Sequence, residues 1–217
     1  MTPAGTTPIA LVLAGGSLAC DDRVRRRAAE ADLVIAADGG LRHALELGVS
    51  PDLLVGDLDS VDDAELARWP RLKVERHPPD KDEMDLELAI DAARERGAGE
   101  VRVIGAFGGR LDQTLATAAI AARYAEQGLR IALLDADHDA YPLTNGDLYD
   151  APLPNGTSFS LLAISPEVRV DVSGAAYPLS DASLPRGVGT GLSNEARGGP
   201  KVRVRAGTLL LIVEWRS

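Results

Sequence analysis

The hydrophobic positions in the N-terminal part of the chain form short unbroken runs, and stretches with helical spacing lie between them. Continuous apolar runs are typical of strands that are buried on both faces of a parallel sheet. Because these runs alternate with helical patterns, the sequence predicts a parallel sheet with helices on both faces. The predicted strands are 9–13, 33–37, 53–55, 101–106 and 131–134, and the predicted helices are 21–30, 41–47, one from 86 onwards and 114–126.

The pattern changes near residue 137. From there onwards helical spacing is lost, Pro, Gly, Ser and Thr become more frequent, and apolar runs appear at 159–164, 168–172, 202–205 and 208–213. Two of these runs alternate polar and apolar residues, which is typical of half-buried antiparallel strands. The sequence therefore predicts an α/β fold: a Rossmann-like parallel sheet with helices on both faces in residues 1–137, then a smaller all-β sandwich in residues 138–217.

Composition excludes several classes of protein. The chain of 217 residues has one cysteine, which excludes an internal disulfide, and its formal charge of −10 argues against a nucleic-acid-binding surface. No apolar run is long enough to span a membrane, and the N-terminus lacks the basic and apolar regions of a signal peptide. We therefore expect a cytoplasmic protein that binds neither nucleic acid nor membrane. An acidic protein can still bind a polyphosphate when Mg²⁺ screens the charges.

Two aspartates follow the third predicted strand. The strand stops at Gly56, and Asp57 and Asp59 come directly after it, two residues apart. In an extended backbone their carboxylates point the same way, and two like charges held close are costly unless a cation lies between them. Carboxylate oxygens without a nearby His or Cys favour a hard ion such as Mg²⁺ over zinc. The alternative is an acidic loop that caps the next helix, since Ser60 and Asp63 have the spacing of a capping box; this explains the upstream aspartates less well.

Other predicted strands also end in polar loops. Asp38-Gly39-Gly40 follows the second strand, and Gly108-Gly109-Arg110 follows the fourth. Two glycines before a helix let backbone amides approach an anion, and an arginine can bind phosphate oxygens with two N–H groups. Asp85 and Asp112 each lie near a predicted helix start, where the helix dipole alone would favour an acid. The pattern leaves open whether these two acids stabilise the helix starts or belong to a functional site.

Five short polar segments occur in order along nearly the whole chain. They are 37–40, 51–60, 81–87, 108–112 and 191–195. Each segment alone is weak, but together, across two differently built domains, they are specific, and the chain resembles the thiamine pyrophosphokinases. The resemblance implies transfer of a diphosphate group from ATP to the hydroxyl of thiamine, leaving AMP and requiring Mg²⁺. It also implies that residues 1–137 bind nucleotide and metal, that 138–217 bind thiamine and dimerise, and that the active sites lie at the interface of a homodimer.

The resemblance assigns a role to each segment. Asp57, Asp59 and Asp85 would hold Mg²⁺, and Asp38 would complete the acidic cluster or accept the hydroxyl proton. Ser193 and Asn194 would contact thiamine. Arg110 would act in catalysis as well as in phosphate binding. The full set of implied nucleotide- and phosphate-binding residues is Gly39, Gly40, Lys81, Gly108, Gly109, Arg110, Asp112 and Gln113.

Three positions depart from the family pattern. Met84 stands where the family often has Thr, Gln113 where many bacterial members have His, and Thr117 where Asn is common. None of these changes removes a carboxylate, so the metal chemistry is expected to be intact. The three histidines, one of them His43, have no metal-ligand spacing and are interpreted as surface or packing residues.

The residues alone also allow two other functions. The first is a pyrophosphokinase that acts on another heterocyclic alcohol, such as a hydroxymethyl pterin; the Ser193-Asn194 segment argues for thiamine instead. The second is a nucleotide-sensing module without catalysis. Retention of the acids at 38, 57, 59 and 85 counts against a sensor, because a sensor does not need to keep a metal cluster.

Overall fold

The computed structural model describes residues 7–78 and 82–215. The chain divides into two compact units. The first contains the described residues up to Thr117 together with Leu129–Ala136, and the second contains Ala118–Gly128 and the described residues from Asp137 onwards. The described helices include none long and apolar enough to cross a membrane.

The first unit is built on a parallel sheet. Its strands are β1 (Ile9–Leu13), β2 (Leu33–Ala37), β3 (Leu53–Gly56), β4 (Lys73–Arg76), β5 (Glu100–Ile104) and β6 (Arg130–Leu134). Every neighbouring pair is parallel, in the order β6-β5-β1-β2-β3-β4. The strands β1, β2, β3, β5 and β6 match the predicted positions, whereas β4 was not predicted. The chain leaves β1 on one side towards β2 and returns on the other side at β5, so the ligand crevice is expected at the carboxyl end of β1.

The α-helices of the described chain are α1 (Asp22–Ala29), α2 (His43–Leu47), α3 (Asp63–Leu66), α4 (Asp85–Glu95) and α5 (Leu111–Glu126). The division between the two units falls within α5, after Thr117. α5 begins before the predicted start at residue 114. The alternative capping role of Ser60 is wrong, because α3 is capped by Asp62, whose carboxylate accepts the N–H of Glu65 at 2.7 Å. The Ser60 hydroxyl donates to Asp59 instead. The cap of α3 therefore comes from Asp62, and Asp57 and Asp59 do not act as helix caps.

The second unit contains antiparallel strands. They are β7 (His138–Leu143), β8 (Leu148–Tyr149), β9 (Ser158–Ala163), β10 (Glu167–Ala175), β11 (Leu179–Pro185), β12 (Asn194–Ala206) and β13 (Leu209–Glu214). The long strand β12 pairs with β9 through its first residues and with β8 and β10 further along, so it belongs to two sheets. The inward-facing apolar side chains of these strands form one buried core. The predicted fold class, a parallel α/β sheet followed by an all-β sandwich, is confirmed.

Candidate active site

Three carboxylates lie together at the carboxyl ends of β2 and β3. Asp38, Asp57 and Asp59 each offer an oxygen, and these oxygens are within 4.8 Å of one another. The two aspartates after β3 are joined by a local hydrogen bond, from the N–H of Asp59 to the carboxylate of Asp57 at 3.1 Å. Parallel strands end at the same edge of a sheet, and for that reason residues far apart in sequence meet here.

The backbone around these acids is unusual. Asp38 has a φ of 45° and Leu58, between the other two aspartates, a φ of 68°. Left-handed backbone is uncommon for residues other than glycine and costs about 1–3 kcal/mol, so it marks a place where the surrounding structure fixes the chain. Gly56 has a φ of 149°, which residues other than glycine rarely adopt, and a Cβ there would also lie close to the Cβ of Asp38, at 3.0 Å, and to Oδ1 of Asp85, at 3.3 Å.

Asp85 lies beside this group without belonging to it. It is the first residue of α4, and the Glu87 carboxylate caps that helix by accepting the N–H of Met84 at 3.0 Å. Its carboxylate approaches Gly56 and lines the same cavity. The structure therefore groups Asp38 most closely with Asp57 and Asp59, whereas the sequence grouped Asp85 with them.

The donor set fits a hard divalent cation. Oδ1 of Asp38 is buried, and none of the described residues gives it a hydrogen bond. A buried polar atom without a partner is costly, which indicates a missing partner such as an ion or a water molecule. Three carboxylate oxygens held close also repel one another unless a cation separates them. Oxygen ligands of this kind are those that Mg²⁺ prefers.

A cavity of about 210 Å³ opens next to the acids. Its walls come from the loops after β1, β2, β3 and β5 and from the starts of α4 and α5. The loops pack so closely that a Cβ on Gly40 would strike the carbonyl of Leu13, and one on Gly16 would strike the carbonyl of Gly105. Glycine is therefore needed at both positions for the loops to pack this closely.

The other predicted nucleotide-binding residues are distributed around this cavity. Gly39, Gly108 and Gln113 line it, while Gly40 packs against β1. Gly109 has a left-handed φ of 71°, with open space where a Cβ would be. Lys81 lies outside the described residues. Met84 and Thr117, which depart from the family pattern, also line the cavity together with Gln113.

Arg110 and Asp112 bind each other on the surface. Nε of Arg110 donates to one carboxylate oxygen at 3.1 Å and Nη2 to the other at 2.6 Å. This hydrogen bond lowers the pKa of the Asp112 carboxyl and raises the pKa of Arg110. Because both side chains are exposed, the pair contributes little to stability. Its geometry is also that of an arginine bound to a phosphate.

Sequence reasoning missed several residues of this region. Gly15, Gly16, Arg42 and Ser60 line the cavity, and His43 lies directly behind it. The glycines follow β1 in the same way that Gly39 and Gly40 follow β2, and this was a signal that could have been used. A lone histidine carries no such signal.

In the second unit, the predicted substrate-binding residue Asn194 is the first residue of β12, and Ser193 directly precedes it. Ser193 is exposed, has a φ of 59° and donates its N–H to the Ser160 hydroxyl at 3.1 Å. Asn194 is buried, and its side chain binds the backbone of Tyr177. Tyr177 itself is 69% exposed. An exposed aromatic ring held in place by a buried amide was not predicted.

Comparison with known proteins identifies the family. Residues 24–133 match the family model described as thiamin pyrophosphokinase, catalytic domain. The chain is 27% identical over 169 residues to thiamine pyrophosphokinase of Bacillus subtilis (strain 168), covering 76% of this chain and 79% of that one.

Solved structures of similar proteins support the same family. The crystal structure of thiamine pyrophosphokinase from Bacillus subtilis superimposes with a TM-score of 0.82 and 26% identity, over 95% of this chain and 98% of that chain. The thiamin pyrophosphokinase from Geobacillus thermodenitrificans gives a TM-score of 0.79 and 26% identity, over 96% and 98% of the two chains. Since the family model matches half of the chain and the fold agrees over nearly all of it, this chain belongs to the thiamin pyrophosphokinase family of enzymes.

Proposed function

We propose that this enzyme transfers a diphosphate group from ATP to the hydroxyl of thiamine, giving thiamine diphosphate and AMP, with Mg²⁺ as cofactor. The observation that carries the proposal is the group formed by Asp38, Asp57 and Asp59 beside a cavity with exposed glycine backbone. Carboxylates placed next to glycine-rich loops suit a metal-bound polyphosphate, and phosphoryl transfer asks a protein mainly for positioning and charge neutralisation. The family supports the same reaction.

The residues that would hold Mg²⁺ are Asp38, Asp57 and Asp59, with Asp85 close enough to the same cavity to assist. When bound there, the ion would neutralise charge on the phosphates. The unpartnered oxygen of Asp38 supports this assignment, because a bound cation would remove its desolvation cost. This proposed set differs in one member from the set that the family resemblance implies, Asp57, Asp59 and Asp85.

The reaction needs an attacking hydroxyl, a proton acceptor and a leaving group. The thiamine hydroxyl forms a bond to the β-phosphorus of ATP, the bond between that phosphorus and the oxygen of the α-phosphate breaks, and AMP leaves. Asp38 or Asp85 would accept the hydroxyl proton, since both acids line the cavity. Gly39 and Gly108 would bring backbone close to the nucleotide. Arg110 would exchange the Asp112 carboxylate for a phosphate.

The second unit offers groups for binding thiamine. The exposed hydroxyl of Ser193 can hydrogen-bond to an aminopyrimidine, and the exposed ring of Tyr177 can stack on a planar heterocycle. Asn194 would act through Tyr177, whose backbone it binds.

We also propose a cytoplasmic homodimer. Tyr177, Val188 and Leu192 are large apolar side chains exposed near one another in the sequence of the second unit. Exposed apolar groups of this kind are common at interfaces between subunits, and two-fold dimers are the commonest oligomers. Light scattering coupled to gel filtration tests this proposal, and a monomer at micromolar concentration would contradict it.

The deciding experiment is incubation of the purified protein with thiamine, ATP and Mg²⁺, followed by chromatography of both products. We expect thiamine diphosphate and AMP in equal amounts. ADP with thiamine monophosphate would exclude diphosphate transfer, and absence of turnover would favour a nucleotide-sensing module. A parallel incubation with a hydroxymethyl pterin tests the alternative acceptor, and faster turnover of the pterin would replace thiamine in the proposal.

A further inference from the structure

The loop after β1 is fixed through its carbonyl groups. Nη2 of Arg42 donates to the carbonyl of Gly15 at 2.5 Å and to that of Gly16 at 3.1 Å, and Nε2 of His43 lies 2.9 Å from the Gly16 carbonyl. Two side chains from the start of α2 thus bind two consecutive carbonyl oxygens beside the cavity. Hydrogen bonds from a charged donor are among the stronger ones in proteins.

The N–H groups of the same loop differ in whether they have a hydrogen-bond partner. Gly16 and Ser17 donate their N–H groups to the carbonyls of Gly105 and Phe107, at 3.0 and 3.1 Å. The N–H of Gly15 donates to none of the groups that the structure describes. Gly15 is exposed and lines the cavity, so this N–H is a donor that a ligand can reach.

Arg42 also faces the cavity. It is the one cation among the described residues that line this space, where Asp38 and Asp85 are the acids. Its Nη1 would lie 3.1 Å from a Cβ at Gly39, which places the guanidinium against the loop after β2. An arginine has five N–H donors, so binding two carbonyls through Nη2 leaves others for an anion.

His43 holds the loop from inside the fold. Only 5% of the residue is exposed, and its Cδ2 would lie 3.2 Å from a Cβ at Gly105, so it packs between the loops after β1 and β5. Burial lowers the pKa of the imidazole, although the Gly16 carbonyl opposes this effect. In the neutral ring the proton lies on Nε2, because only a donor can satisfy a carbonyl.

We propose that Arg42 and His43 are positioning residues that hold the Gly15-Gly16 loop so that the N–H of Gly15 binds a phosphate oxygen of the nucleotide. Carbonyl oxygens at a phosphate site repel the ligand unless donors satisfy them, and these two side chains supply the donors. The inference rests on the proposed function, since that function brings ATP to this cavity. It assigns a role to two side chains that sequence reasoning left without one.

Direct binding of α,β-methylene-ATP with Mg²⁺, measured by calorimetry, tests the proposal without turnover. We expect Arg42→Gln and His43→Leu each to weaken binding by about tenfold or more, in line with the loss of a charge-assisted or buried hydrogen bond. His43→Gln keeps an N–H donor and should restore binding to within about threefold of the wild type. Arg96→Gln is the matched control, because Arg96 also donates to a backbone carbonyl, that of Ala92, away from this cavity.

Steady-state kinetics separate positioning from a general loss of folded protein. A folding defect lowers kcat in proportion to the active fraction and leaves KM unchanged, whereas positioning raises KM for ATP and leaves KM for thiamine as it was. Unchanged analogue affinity in folded Arg42→Gln and His43→Leu would overturn the proposal, and so would a wild type that does not bind the analogue. If His43→Leu does not fold, analogue binding by Arg42→Gln still tests the proposal, because the side chain of Arg42 is exposed. A wild type that binds the analogue but makes no thiamine diphosphate would refute the proposed function alone.

Discussion

Asn194 and Tyr177 are joined by two hydrogen bonds in the second unit. The N–H of Tyr177 donates to Oδ1 of Asn194 at 3.0 Å, and Nδ2 of Asn194 donates to the carbonyl of Tyr177 at 2.8 Å. The same oxygen accepts the N–H of Glu195 at 2.9 Å. The amide of Asn194 therefore acts on the backbone that carries an exposed aromatic ring, while a direct contact between Asn194 and thiamine stays a prediction.

Replacement of Asn194 by alanine should destabilise the protein and weaken thiamine binding together. The change removes the hydrogen bonds that the buried Asn194 amide makes with the backbone of Tyr177 and Glu195, and each such bond contributes about 0.5–1.5 kcal/mol. Tyr177→Ala should raise KM for thiamine with little effect on the melting temperature, because its ring is exposed. Asn155→Ala is the control, since its exposed side chain accepts one N–H, that of Gly198. An Asn194→Ala protein as stable as the wild type would contradict this interpretation.

Replacement of Asp57 or Asp59 by asparagine should abolish turnover and leave the fold intact. Removing one charge relieves repulsion among the carboxylates, so the melting temperature without Mg²⁺ should hold or rise. Mg²⁺ should then stabilise the variant less than the wild type, because a ligand that binds only the folded state raises its stability. Asp63→Asn, an exposed change at the start of α3, is the control. A variant that unfolds, or one that keeps normal turnover, would indicate a structural pair.

A comparison of Asp38→Asn with Asp85→Asn tests which acid completes the metal group. We expect Asp38→Asn to raise the Mg²⁺ concentration for half-maximal activity more than Asp85→Asn does, since Asp38 lies closer to the other two carboxylates. Asparagine tolerates the left-handed backbone at position 38, so the fold should survive. Thermal melts check that point. A larger effect at Asp85 would restore the grouping drawn from the sequence.

The buried imidazole of His43 should make stability depend on pH. Burial lowers the pKa of His43 below its ordinary value of 6.5, Arg42 lowers it further, and the Gly16 carbonyl and Glu46 oppose the change. The unfolded chain therefore takes up this proton near pH 6.5, before the folded chain does, and the free energy of unfolding falls as the pH drops below that value. His43→Gln should lose less stability than the wild type between pH 7 and about pH 5, measured by denaturant titration. Parallel curves for the two proteins would exclude this contribution.

Much of the fold could be predicted because its strands are buried on both faces. The strands β1, β2 and β3 are apolar throughout, and β5 and β6 are apolar at most positions. Because nearly every residue in these strands is buried, the pattern was visible in the sequence. β4 was missed because its sequence, Lys-Val-Glu-Arg, has no apolar run. The prediction of strands from hydrophobicity fails where a strand is exposed on both faces.

The sequence indicated which residue types form the candidate site, but it indicated less well which of the aspartates lie together. Aspartates after predicted strands indicated a cluster, but Asp38 joins it through a left-handed backbone turn that no spacing rule contains. The contacts of His43 depend on how the loops after β1 and β5 pack, which is a property of tertiary structure. The pairing of Arg110 with Asp112 likewise follows from side-chain geometry and not from sequence pattern.

The strand β4 has a consequence for behaviour at high concentration. It ends the parallel sheet of the first unit, with β3 as its strand partner. A flat edge of this kind invites the strands of other molecules, and proteins discourage such association with short, charged edge strands. Lys73, Glu75 and Arg76 provide both features within four residues. The charges that hid this strand from sequence analysis thus also protect the protein against edge-to-edge aggregation.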